Sequence, residues 1–321
     1  MPSPEPTCIR VITPGWCTTI QDLGRHGYQH YGLSVSGAMD RLALVIANRL
    51  VRNRDAAAAL EITLLGPELL FEQDAVLAIT GADLSPAIDG VAVPLWTTVP
   101  IHAGSHLRFG PRRFGARSYL AVAGGFDVPL SWASRSTHLA SGTGGLHGHA
   151  LIVDDLLHVD TGRRERPALG ATLAHGRRPL YVEEPTLRVL AGPQEISGDA
   201  LSILTTAPYH VSNQSDRMGY RLEGQRLDDV SMGPYLSDGT AMGALQIPPD
   251  GSPILLMADR PTTGGYPKLA AVISADLPQA AQLQPGDRLC FRTTTLLEAE
   301  TALASQWRRI NEALPPYPKM L

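Results

Sequence analysis

Short apolar runs rich in Val, Ile, Leu and Thr recur along the whole chain, each cut off after a few residues by Gly, Pro or a polar cluster. The runs at 8–12, 58–64, 75–80, 106–109, 117–123, 187–191, 254–258, 269–274 and 288–293 predict β-strands. Regular alternation of strands with helices, the mark of a doubly wound sheet, is missing, so the class is mainly β. Helical periodicity stands out in two places. After Ser36, GAMDRLALVIANRLV sets Met39, Leu42, Ala43, Ile46 and Leu50 on one face, with Ser36 as the expected N-cap. Near the C-terminus, Thr295 and Glu298 form a capping box. Leu296, Leu303, Trp307, Ile310 and Leu314 follow it as one stripe.

The pattern also echoes itself. VLAITGAD (76–83) is followed by HAGSHLRF (102–109), and ILLMAD (254–259) is followed by QPGDRLCF (284–291). Each pair joins an apolar strand ending in Ala-Asp to a turn glycine and a strand with Leu and Phe at matching places, which implies a duplicated β unit. Two related domains are expected, 1–170 and 171–321, with the boundary in the Arg-rich stretch 161–180 and the C-terminal helix on the second. A chain of 321 residues exceeds the usual size of one hydrophobic core.

Composition narrows the partners. Hydrophobic residues make up 44% of the chain and charged residues 18%, as in ordinary globular proteins. A net charge of −4 supplies no broad positive field, so no nucleic acid is expected. No apolar run has the length of a membrane helix and no export signal opens the chain, so no membrane association and a cytoplasmic location are expected. Cys8, Cys17 and Cys290 form no CxxC pair, which fits a reducing compartment and no zinc site. The lysines are Lys268 and Lys319; every other basic residue is Arg.

Lys268 closes ADRPTTGGYPK (258–268), the most suggestive stretch. Pro261 and Pro267 stiffen it, Gly264 and Gly265 let backbone N–H groups approach a ligand, and Thr262, Thr263 and one ammonium add polar contacts. Such a loop suits an oxyanion, a carboxylate or a phosphoryl oxygen; the competing reading is a tight hairpin. It lacks the spacing of a Walker A loop. Upstream, SNQSDRMGYRLEG (212–224) gathers Arg217 and Tyr220, and Arg217 is suited to clamping a carboxylate with both arms of its fork. Asp83 and Glu61 lie beside apolar strands, where a carboxyl group carries protons or, more often, caps a turn. Arg25, His26, His30 and Tyr31 precede a helix start, an arrangement that draws anions, while Gly27 and Gly32 argue against a helical metal pair. GTGGLHGH lacks the full dinucleotide fingerprint and GLSVSG is no nucleophile elbow.

TTIQDLGRHGYQHYGLSVSGAMDRLALVIANRLV, LEITLLGPEL, TGADL, YLAVAGGFDVP, SRSTHL, RVLAGPQ, SDRMGYRLEG, ALQIPPDGSPILLMADRPTTGGYPKLAAV and QPGDRLCF, in that order, resemble the family of the 5-oxoprolinase C subunit. That family is also described as the KipI-antagonist or biotin-dependent carboxyltransferase family and is related to part of urea carboxylase. The resemblance implies two cyclophilin-like β-barrel domains with a few packed helices. It implies two 5-oxoprolinase companions, a KipI-like B component and an A component, which together open 5-oxoproline to glutamate using ATP, with Mg, bound with or by a partner. It also implies a small-molecule amide substrate. No biotin is expected on this chain, because Met242 of TAMGALQ is followed by Gly243 rather than a biotinylated lysine. On this basis Lys268, Asp259 and Asp83 are the expected catalytic residues. Arg217, Tyr220, Thr262, Thr263, Gly264, Gly265 and Tyr266 are the expected substrate-binding residues. The alternative activities are a carboxyltransferase component served by biotin on another protein, and a non-catalytic antagonist of a KipI-like kinase inhibitor.

Overall fold

A computed structural model describes residues 7–160, 167–194, 199–227 and 236–316. Lys319 and residues 161–166 of the expected boundary lie outside them. Every run read as a strand in the sequence is one, and the protein is mainly β. The chain forms two compact units. The first draws on the described residues within Met1–Arg25, Asp40–Pro179 and Arg308–Leu321; the second comprises His26–Met39 and Leu180–Trp307. The sequence suggested a single cut at 170/171. The division falls elsewhere because residues 26–39 make their contacts with the later half of the chain: Ser34 and Ser36 hydrogen bond to Arg260 and Asp259, and Met39 packs into the second core.

The first unit contains β1 (Thr7–Thr13), β2 (Cys17–Gln21), β3 (Ala59–Thr63), β4 (Glu68–Phe71), β5 (Ala75–Asp83), β6 (Pro86–Ile88), β7 (Val91–Ala92), β8 (Thr98–Ile101), β9 (His106–Phe109), β10 (Phe114–Val122) and β11 (Leu156–Val159). They form a six-stranded sheet ordered β11-β1-β4-β9-β6-β7 and a five-stranded sheet ordered β2-β3-β10-β5-β8. Ile9, Val11, Leu60, Ile62, Phe71, Ile79, Leu107, Leu120 and Leu157 fill one core between them. β10 is buried almost throughout because helix α1 (Arg41–Leu50) covers it as well.

α1 is apolar on nearly every side, and Leu42 through Leu50 are all buried, so it is a core helix rather than one with a single apolar face. Its cap also differs from expectation. Asp40, not Ser36, accepts the Ala43 N–H at 2.9 Å, since residues 37–39 are not yet helical. Beneath it, Tyr119 accepts the Asp40 N–H at 2.7 Å and donates to Glu61 Oε2 at 2.7 Å. Burial, then the Glu61 and Asp40 charges, push the Tyr119 phenol well above its ordinary range, so it stays a donor. Glu61 is thus tied into the fold of the first unit.

The second unit contains β12 (Thr186–Ala191), β13 (Tyr209–Val211), β14 (Gly219–Gly224), β15 (Asp238–Gly239), β16 (Ala244–Gln246), β17 (Ile254–Leu256), β18 (Thr263–Gly264), β19 (Lys268–Val272) and β20 (Arg288–Thr293). Seven of these close a barrel in the order β12-β19-β16-β17-β14-β13-β20, while β15 and β18 pair as a separate two-stranded ribbon. Leu187, Val189, Tyr209, Tyr220, Leu245, Leu255, Leu269 and Phe291 pack inside. Two short helices, α2 (Ala200–Thr206) and α3 (Leu277–Ala280), carry no clear periodic signal in the sequence. The last helix, α4 (Leu296–Ala313), opens on the expected capping box: Thr295 N–H donates to Glu298 Oε2 at 2.9 Å, and Glu298 N–H to Thr295 Oγ1 at 3.2 Å. Ile310 of its stripe is fully buried, whereas Leu296 is exposed and falls outside it.

The internal echo is a repeated corner. In the first unit Gly104 N–H donates to Phe71 O at 2.7 Å, Phe71 N–H to Ser105 O at 3.0 Å and Ser105 N–H to His102 O at 3.1 Å. In the second, Gly286 N–H donates to Val211 O at 2.7 Å, Val211 N–H to Asp287 O at 2.9 Å and Asp287 N–H to Gln284 O at 3.1 Å. Both turn glycines have positive φ, 83° and 89°, which excludes most side chains. The strands that follow pair antiparallel with equivalent neighbours, Leu107 opposite Leu69 and Leu289 opposite Tyr209.

Candidate functional site

The candidate loop begins where the β14·β17 ladder runs out. Met257 N–H donates to Met218 O at 2.9 Å and Asp259 N–H to Arg217 O at 2.8 Å, which carries the two strands beyond their ends and sets a carboxylate beside a guanidinium. Arg217 Nε donates to Asp259 Oδ2 at 2.9 Å and Nη2 to Oδ1 at 3.1 Å, a two-armed ion pair with side chains only 9% and 5% exposed. Nη2 also donates to Gly37 O at 2.7 Å, and Ser36 Oγ donates to Asp259 Oδ1 at 2.6 Å. In this structure the fork suggested for a substrate carboxylate closes on Asp259, and Asp259 fixes the start of the loop. Ser36 serves this carboxylate rather than a helix end; nothing local in the sequence links it to a residue 223 positions away.

The far end of the loop is anchored by Lys268, the first residue of β19. Its Nζ donates to Asp238 Oδ2 at 2.8 Å and to Gly239 O at 2.9 Å, and its backbone N–H donates to Gln194 Oε1 at 2.8 Å. Two of the three ammonium donors are used, and the third has no partner among the described residues. The Lys268 hydrogen bond, ahead of that from the Gly239 backbone, holds the exposed Asp238 carboxyl below its usual range. Asp238 and Gly239 form β15, which pairs with Thr263 and Gly264 of β18, so the same lysine steadies the ribbon that carries the glycines.

Gly264 and Gly265 differ sharply. Neither has positive φ, so neither is required by backbone conformation. A Cβ on Gly264 would lie 2.4 Å from Gln246 Nε2, whereas one on Gly265 would meet only Ser237 Oγ at 3.4 Å, an ordinary contact. Gln246 ends β16 opposite Lys268, beside a bulge, and is 4% exposed; its Nε2 has no hydrogen-bond partner among the described residues. A buried amide donor left unpaired costs about 1–3 kcal/mol. Gly264→Ala is expected to displace Gln246 and lower stability by about 1–3 kcal/mol, the cost of overpacking a filled site. Gly265→Ala should stay within about 0.5 kcal/mol of the parent, the usual span for a surface substitution. Denaturant titration of both variants checks the contrast.

The other expected residues are placed as follows. Thr262 lends its carbonyl to the Thr240 N–H at 3.1 Å, and the Thr240 hydroxyl bonds the Pro261 carbonyl. Thr263 and Tyr266 are exposed. Tyr220 is 2% exposed inside the barrel, among the apolar core residues. Asp83 belongs to the first unit, where its Oδ1 accepts the Ser85 N–H at 2.9 Å and its Oδ2 lies 3.9 Å from Arg113 Nη1. That is a turn cap beside an arginine, the commoner of the two roles considered for it. The histidine segment is divided between units: Arg25 is buried in the first and bonds the Ser136 carbonyl, while His26, His30 and Tyr31 are exposed in the second. Among the described residues no group of three or more His, Cys, Asp or Glu side chains converges as a metal site requires. No described helix is long and apolar enough to cross a membrane.

Residues missed in the sequence are Ser36, Asp238 and Gln246. Of these only Gln246 left a signal, a lone amide between the apolar Ala244-Leu245 and Ile247.

The chain matches the family model "Carboxyltransferase domain, subdomain A and B" over residues 31–293, and it belongs to that family. It is 41% identical over 302 residues to the 5-oxoprolinase C subunit of Escherichia coli K12, covering 94% of this chain and 96% of that one. It is 36% identical to the corresponding 5-oxoprolinase C subunit of Haemophilus influenzae, covering 92% of each. Solved relatives include the longer urea carboxylase of Kluyveromyces lactis, 28% identical with a TM-score of 0.89, covering 99% of this chain but 30% of that one.

Proposed function

We propose that this chain is the C subunit of an ATP-dependent 5-oxoprolinase, a complex that opens 5-oxo-L-proline to L-glutamate together with a KipI-like B component and an A component. The observation that carries the reading is end-to-end correspondence: at 41% identity, 94% of this chain aligns with 96% of the E. coli protein. Against the yeast urea carboxylase it corresponds to less than a third of a longer polypeptide. ATP and Mg belong to the complex in this reading. The sequence carries no phosphate-binding fingerprint, and among the described residues no group of three or more His, Cys, Asp or Glu side chains converges.

Opening a lactam breaks the ring C–N bond, adds oxygen at the carbonyl carbon and gives the nitrogen a proton. Negative charge builds on the carbonyl oxygen on the way. In the proposed site Lys268 and the backbone of Gly264 and Gly265 face that charge, and the Arg217–Asp259 pair sets the position of the loop. Thr262, Thr263 and Tyr266 flank it.

The family model favours a second reading, a biotin-dependent carboxyltransferase component. The two separate in one assay on the complex purified with its companion proteins. The 5-oxoprolinase reading expects ADP and glutamate to form with 5-oxo-L-proline, indifferent to avidin. Turnover confined to urea and abolished by avidin supports the second reading and ends the first.

A further inference from the structure

Gln246 is a buried side chain whose amide nitrogen has no acceptor among the described residues. Its strand neighbours Ala244 and Leu245 are apolar, and a leucine here would avoid the desolvation of an unpaired donor. A glutamine kept for structure, to bridge the bulge between Leu245 and Gln246, would have that donor bonded. Instead Nε2 faces Gly264, the residue whose missing side chain leaves room for it. Three further facts converge on the same spot. Lys268 is the register partner of Gln246 across β16·β19, its ammonium holds Asp238 and Gly239, and those residues form the two-residue ladder that keeps Gly264 in place over the amide.

We infer that Gln246 is the hydrogen-bond donor that recognises the carbonyl oxygen of an amide substrate, uncovered when Lys268 exchanges Asp238 for that substrate. The identity of the amide rests on the 5-oxoprolinase reading; the donor role does not. A neutral carboxamide suits a neutral carbonyl in the ground state, whereas the ammonium gains most as negative charge develops. Gln246 therefore acts on binding and Lys268 on the chemical step. The cover also has a physical basis: a ladder of two residue pairs, joined to the lysine through an exposed carboxylate, is the least supported part of the second unit's sheets.

The test uses the complex purified with its companion proteins, comparing the parent with Gln246→Leu and, as the milder change, Gln246→Met. Two quantities are read for each: steady-state kinetics with 5-oxo-L-proline, and the rise in melting temperature that 5-oxo-L-proline produces without ATP. The expected result is KM raised about tenfold or more with kcat within about threefold, and loss of the ligand-induced rise. The ligand-free melting temperature should be unchanged or higher, which a structural glutamine would not give. Parent turnover with an unchanged KM and an unchanged ligand-induced rise in both variants overturns the inference and leaves the 5-oxoprolinase reading standing. A ligand-induced rise that depends on Gln246, in a parent complex that does not turn over 5-oxo-L-proline, sustains the donor role and overturns the functional reading.

Discussion

Replacing Asp259 with Ala lowers stability by about 3–5 kcal/mol, because it removes the carboxylate that two arms of the buried Arg217 guanidinium hold. The two-armed pair is almost wholly out of water, and one carboxylate oxygen also holds Ser36. Losing two charge-assisted hydrogen bonds to a guanidinium already out of water costs more than the same loss would at the surface. Removing both charges in Asp259→Leu/Arg217→Met should recover most of the loss, since an apolar pair of similar volume replaces a desolvated ionic one. Urea titration of the single and double variants measures both effects. A loss below about 1 kcal/mol in the single variant would mean that the pair behaves as an exposed salt bridge, contrary to its burial.

Lys268→Ala should reduce turnover of the reconstituted complex by about a hundredfold or more, with the protein folded and still bound to its companions. The magnitude is that of removing one preorganised group facing developing negative charge. The structural consequence should be confined to the β15·β18 ribbon that the lysine steadies, because its ionic partner Asp238 is 65% exposed and water screens the pair. Asp238 has its carboxyl held low in the folded state, so its contribution is complete at neutral pH and fades as pH falls through that lowered value. Stability near neutrality should then be insensitive to pH through this pair, with loss confined to acid. Co-elution with the companion proteins and a single cooperative melting transition separate a lost reaction from a lost fold. Near-normal turnover would remove Lys268 from the site.

Much of this architecture was legible because its signals are local. Strands bounded by Gly and Pro and the Thr295–Glu298 capping box depend on residues within one turn or one strand, and the repeated corner shows itself locally in the turn glycines Gly104 and Gly286 and the Leu-x-Phe strands after them. The ends of the elements followed less well. α1 reads as one apolar face by its spacing yet is buried from Leu42 through Leu50, and its cap is Asp40 rather than Ser36 because residues 37–39 are not yet helical. The site was half legible. Lys268 and the two glycines stood out by rarity and density, but the sequence pointed to backbone freedom at Gly264 when the reason is room for the Gln246 amide. Asp238 and Gln246 meet the loop only through barrel closure and the β15·β18 ribbon, and strand pairing across such distances is not written in local periodicity. Asp83 shows the converse. It shares the Ala-Asp ending with Asp259, yet one caps a turn and the other anchors a buried arginine, so a duplicated motif need not duplicate its chemistry.

Glutamate release from 5-oxo-L-proline, measured with the companion proteins in the presence and in the absence of this chain, tests the functional claim most directly. The expected result is ATP-dependent glutamate formation with this chain present and none above background when it is left out. Equal release without it, or no release with every component present, would contradict its assignment to a 5-oxoprolinase.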